Sequence, residues 1–99
     1  MSFALLTSEE IGAELAKRAK GRRLSLDLTV EGLAKRSGVA LGTLKKFERT
    51  GQISLISFIR LAVALKDDAA LEKLLLEAEY DTLEDVLKSK KPRKRGRIT

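Results

Sequence analysis

The sequence predicts an all-α protein. Apolar residues make up 43% of its 99 residues, but aromatics supply only 4%. The core must therefore come mainly from Leu, Ile, Val and Ala, whereas strands usually draw on β-branched and aromatic residues. Apolar residues also recur at three- and four-residue intervals, the helical period. The single proline, Pro92, lies close to the C-terminus, so nothing upstream is broken by proline. Together these observations predict five helices, a short extra C-terminal helix and a basic tail. One domain is expected over 1–87 and a disordered tail over 88–99.

The first helix is expected to start near Thr7. Thr7 and Glu10 have the spacing of a capping box, with Leu6 and Ile11 placed to staple it. Ile11, Leu15, Ala19 and Leu26 make its buried stripe, and Asp27 lies just beyond its end. The second helix is short. Thr29 is its N-cap, Leu33 and Ala34 point inward, and Gly38 ends it where a left-handed glycine is expected. A third helix begins two residues later, with Leu44 and Phe47 inward, and ends at Arg49-Thr50-Gly51.

The fourth helix is capped by Ser54, with Ile53 and Phe58 as its staple. Leu55, Phe58, Ala62 and Leu65 form one apolar stripe, and Ile56, Ile59 and Val63 form a second. A helix apolar on two faces is either the central helix of its domain or part of a dimer contact. The fifth helix is expected over 68–79, with Leu71, Leu74, Leu75 and Ala78 inward and Asp67 and Asp68 at its positive end. A last short helix is expected over 83–88, adding Leu83, Val86 and Leu87 to the dimer candidates.

Composition excludes several chemistries. There is no Cys and no His, so disulfides, thiolate metal sites, the usual general base and the usual zinc ligand are all missing. The seven glycines form neither a dinucleotide fingerprint nor a phosphate loop. Glu9-Glu10 and Asp67-Asp68 read as solvated helix ends rather than an acid–base pair. The expectation is of no enzyme, no cofactor and no metal. The N-terminal stretch lacks the basic region of a signal peptide. The longest uncharged run, Thr50 to Ile59, is far short of the roughly 20 residues a membrane helix needs. A cytoplasmic location is expected.

Charge is divided along the chain. Residues 1–66 carry twelve basic and six acidic side chains, residues 67–87 carry eight carboxylates and one lysine, and residues 88–99 carry seven basic side chains and no acid. The first block suits a polyanion, while the second would repel one. Lys90, Lys91, Arg93, Lys94, Arg95 and Arg97 form a tail that reads in three ways: a solubility segment, an arm along DNA, or a contact for a protein partner.

The informative passage is residues 29–48, which reads as short helix, glycine turn, short helix. Small Ala34 permits a close crossing, and Val39 plugs the turn. One face of the second of these helices is left free to enter a major groove. Ala40, Leu41, Gly42, Thr43, Lys45, Lys46, Arg49 and Thr50, with Thr29 at the start of the preceding helix, are the candidate DNA contacts.

Here the chain resembles the lambda-repressor-like, or Xre-type, helix-turn-helix family. Thr29, Leu33-Ala34, Gly38-Val39, Thr43-Leu44 and Lys46-Phe47-Glu48 match its habit, and so does the run from Ser54 to Leu65. The likeness covers roughly residues 9–66. Two positions depart from it. Val30 stands where the family often has Gln, and Ala40-Leu41-Gly42 stands where it often has a hydroxyl residue followed by a polar reader. Base reading is then expected from Thr43 and Lys46, with Leu41 limited to apolar contact such as a thymine methyl. The resemblance also implies that Arg23 pairs with Glu48, tying the first helix to the recognition helix.

The passage from Phe47 to Leu55 and the C-terminal end look like the HipB-like regulators within that family, which accompany HipA-type kinase toxins. The resemblance implies a homodimer that binds a palindromic double-stranded operator, represses its own operon as the antitoxin, and holds a kinase toxin. Two other readings stand beside it. One is a free-standing transcriptional regulator with no toxin. The other is a protein-interaction adaptor that has kept the fold and lost DNA binding.

Overall fold

The computed structural model describes residues 2–76. They form a 3-10 turn, Phe3–Leu5, followed by α1 (Ser8–Ser25), α2 (Val30–Ser37), α3 (Leu41–Thr50), α4 (Leu55–Ala64) and α5 (Asp68–Lys73). The described part is all helical, as its composition predicts. The helix expected over 83–88, the basic tail and the dimer candidates Leu83, Val86 and Leu87 lie outside the described residues, as does Ala78.

Local hydrogen bonds set where the helices begin. The Glu10 backbone N–H donates to Thr7 Oγ1 (3.1 Å) while the Thr7 N–H donates to Glu10 Oε1 (2.9 Å), so each residue satisfies the other's amide. The bond from the Thr7 backbone, helped by that from its side chain, holds the Glu10 carboxyl below its ordinary value. Thr29 Oγ1 accepts from Gly32 N (2.9 Å) and Ser54 Oγ from Ser57 N (3.2 Å). Each such cap contributes on the order of 1 kcal/mol. At the other ends, Gly38 (φ +73°) and Gly51 (φ +78°) close α2 and α3 in the left-handed region.

The core lies where α1 to α4 meet. Leu33, Leu44, Phe47 and Leu61 are fully buried, with Ala16, Val39 and Leu65 around them. Each large side chain among them contributes roughly 1.5–3 kcal/mol. Phe47 and Phe58 pack edge to face, with ring centroids 5.9 Å apart and planes at 75°.

A backbone contact joins α1 to the turn after α3. A Cβ placed on Gly51 would stand 2.5 Å from the Gly12 carbonyl carbon and 2.6 Å from the Ala13 nitrogen. Gly51 therefore needs glycine twice, for its positive φ and for this approach. On the other side, a Cβ on Gly12 would stand 3.0 Å from the Gly51 oxygen.

Two expectations about faces need correction in part, since Ala19, Leu26, Phe58 and Leu65 do lie in or against the core. The most buried residues of α1 are Ala16 and Arg23, while Ile11, Leu15, Ala19 and Leu26 are half-buried. The contact at Gly12 turns the helix so that positions 12, 16, 19, 23 and 26 run along its inner side. In α4 the inner side centres on Leu61 and Ala62, and Leu55 is exposed. Its second stripe is open in the single chain: Ile56 is 59% exposed, Val63 is 53% exposed and Ile59 is half-buried.

α5 is shorter than its pattern. It ends at Lys73, with Leu75 at φ +63° and no glycine or proline to stop it. Leu74 and Leu75 are exposed rather than inward. Asp67 gives α5 no side-chain cap; it pairs with Arg22 instead.

Candidate nucleic-acid interface

The candidate surface is built by α2, its glycine turn and α3. Gly38 reverses the chain at the end of α2, and its N–H donates to the Ala34 carbonyl (3.0 Å). Buried Val39 follows, its N–H held by Ser37 Oγ (3.2 Å). Leu33 from α2 and Leu44 from α3 are both completely buried, so the two helices cannot rotate about their axes without exposing them.

With Leu44 and Phe47 inward, a turn of about 3.6 residues decides what faces out. Gly42 and Arg49 lie along the middle of the outer face, with Lys45 and Lys46 about equally far to either side and Thr43 near its edge. All five are exposed, as is Ala40 ahead of the helix. Leu41 is half-buried, which leaves only part of its side chain for an apolar contact. Among the described residues, Lys45, Lys46 and Arg49 take no part in an ion pair.

Two of the sequence candidates already do structural work. Thr29 uses its hydroxyl oxygen to cap α2, which leaves the hydroxyl hydrogen able to donate. Thr50 donates its hydroxyl to the Lys46 carbonyl (2.7 Å) and accepts from Gln52 N (3.1 Å). Its proton is spent on closing α3.

The structure brings Arg23 and Glu48 together. Arg23 Nε and Nη2 donate to the two Glu48 carboxylate oxygens (2.9 and 3.1 Å), and its Nη1 donates to the Leu28 carbonyl (2.8 Å). Both side chains are nearly covered, at 10% and 13% exposed. The fork-to-fork geometry makes this a strong type of pair. It also matters electrically. Glu48 is the one acid in α3, and pairing it inside the domain leaves Lys45, Lys46 and Arg49 on the outer face with no carboxylate partner among the described residues.

Sequence reasoning missed the neighbouring arginine. Arg22 Nη2 donates to Asp67 Oδ1, and its Nε donates to the Leu65 carbonyl (3.2 Å). Nothing in local spacing signals a pair separated by 45 positions. Arg18 is also engaged, bonded to Glu14 and stacked over the Phe3 ring at 4.9 Å. Lys35 and Arg36, exposed in the last turn of α2, add to the positive charge beside the glycine turn.

Among the described residues no group of three or more acidic side chains is placed to hold a metal ion. No described helix is long and apolar enough to cross a membrane. Neither a protein-family model nor a curated protein matches the chain.

Proposed function

We propose that this protein is a sequence-specific DNA-binding transcriptional repressor that acts as a two-fold dimer. The observation that carries the reading is the geometry of α3. Its inner side is locked by Leu44 and Phe47, its acid is neutralised by Arg23, and its outer side holds Lys45, Lys46 and Arg49. A helix about 10–12 Å across with such a face suits a major groove of about 12 Å.

The dimer supports specificity, because one short helix reads only a few base pairs. Ile56 and Val63 of α4 stand open in the single chain and give a second copy an apolar surface. The pairing of two such helices would place half-sites about one helical turn, or a multiple, apart.

The more specific role, antitoxin and autorepressor in a HipBA-like operon, rests on the resemblance of residues 47–55 to HipB-like regulators. A HipA-type kinase would then be the protein partner. Selection of binding sites from a random duplex pool tests the DNA reading. A repeated, two-fold sequence is the expected result, and a chain that enriches nothing would favour the adaptor reading. Co-purification with the product of the adjacent gene tests the toxin partner.

A further inference from the structure

We propose that Gly42 is a specificity-determining residue. Its missing side chain sets how closely the backbone of α3 seats against DNA, so that even one methyl group there lifts the helix from its binding sequence. The inference rests on the DNA-binding reading of α3 and adds a role for a residue that offers DNA no polar group.

Backbone conformation explains Gly38 and Gly51, which have positive φ, and packing explains Gly12, which faces the Gly51 backbone; a Cβ on Gly32 would stand 3.2 Å from the capping Thr29 Oγ1. Gly42 has no such reason. Its φ is not positive, and a Cβ built on it meets nothing within 4 Å. Helices disfavour glycine relative to alanine, because glycine loses more backbone freedom on ordering. Within the folded domain, then, alanine would fit at position 42 and would suit the helix at least as well.

Placement supplies a reason that packing does not. Positions 42, 46 and 49 share one side of α3, four and three residues apart. Lys46 and Arg49 carry long, flexible cations at two steps of that column, and the first step is bare. The N-terminal part of a recognition helix is the part that reaches base edges. A bare step at that end lets the backbone come nearest to DNA while the cations reach past it. Added volume in so close a fit is resisted by both surfaces.

Gly21 of α1 provides the control. A Cβ there also meets nothing within 4 Å, and the residue lies outside the outer face of α3. The experiment begins by selecting a binding sequence with the full-length chain. The affinities of wild type, Gly42→Ala and Gly21→Ala for that duplex and for an unrelated one are then compared, with the Tm of each protein. Both variants should melt no lower than wild type. Gly21→Ala should bind as wild type does. Gly42→Ala should lose roughly tenfold or more on the selected duplex and little on the unrelated one. Wild-type affinity in Gly42→Ala, or an equal loss in Gly21→Ala, overturns the inference. A wild-type chain that selects no sequence overturns the DNA reading itself, and does so before any variant is compared.

Discussion

Arg22 and Arg23 are neighbours in α1, yet they bind different elements of the domain. Arg23 holds Glu48 near the end of α3, while Arg22 holds Asp67 and the Leu65 carbonyl just beyond α4. The two bonds differ in worth. The Arg22 pair is about half exposed and contributes little, because solvent screens it. Arg23 and Glu48 are nearly covered. Glu48→Ala should therefore cost about 3 kcal/mol by stranding a covered cation, and Asp67→Ala should cost under about 1 kcal/mol. Urea denaturation of both variants checks the ranking. Joint replacement of Arg23 and Glu48 by methionine should cost less than Glu48→Ala alone.

Gly51 and Gly38 have nearly the same φ but different surroundings. Gly38→Ala meets only the left-handed penalty and should cost roughly 1–2 kcal/mol. Gly51→Ala meets that penalty and the α1 backbone as well, so it should cost clearly more and should lower Tm further. Equal melting temperatures would remove the Gly12–Gly51 contact from the account of stability.

Lys46→Ala should weaken binding to the selected operator by about 1–3 kcal/mol, with a smaller effect on random DNA, because Lys46 is exposed on the outer face of α3, one turn beyond Gly42. Gel shifts on the two duplexes decide. Equal losses would reassign Lys46 to a phosphate contact.

Ile56→Glu and Val63→Glu should halve the mass seen in sedimentation while leaving the single chain folded, since both side chains are more than half exposed. Unchanged mass in both variants would take α4 out of the dimer contact.

Glu10 gives a pH dependence of known sign. Its folded pKa is lowered, so its share of stability is present above the unfolded value and is lost as pH falls through the folded one. Glu10→Gln should melt lower than wild type at neutral pH. The difference should close in acid below the ordinary carboxylate range. A difference that persists there would mean that the glutamine loses something other than charge.

The sequence was most legible where one short segment settles the outcome. Thr7 with Glu10, Thr29 and Ser54 each form their caps within three residues, and Gly38 and Gly51 mark their turns by backbone freedom alone. The outer face of α3 was legible for the same reason, because Leu44 and Phe47 fix the rotation of a short helix. Arg23 and Glu48 came from family likeness, and no local spacing would have joined them. The Arg22–Asp67 bond, the Gly12–Gly51 contact and the inward turn of Ala16 depend on how distant helices cross, which periodicity does not encode. The end of α5 was illegible for another cause. Leu71 to Leu76 is good helical sequence by propensity, but Leu74, Leu75 and Leu76 are exposed, so among the described residues no packed face holds them in the helix.

On the proposed reading of α3 as a DNA-recognition helix, the contact between Gly12 and Gly51 bears on how its specificity would change. Main chain rests on main chain there, so the aim of α3 depends on no side chain that a new recognition surface would need to alter. Thr43, Lys45, Lys46 and Arg49 are thus free to vary as a set while the helix keeps its attitude. A lineage, or a protein engineer, can exchange those residues for a new target sequence without retuning the scaffold beneath them.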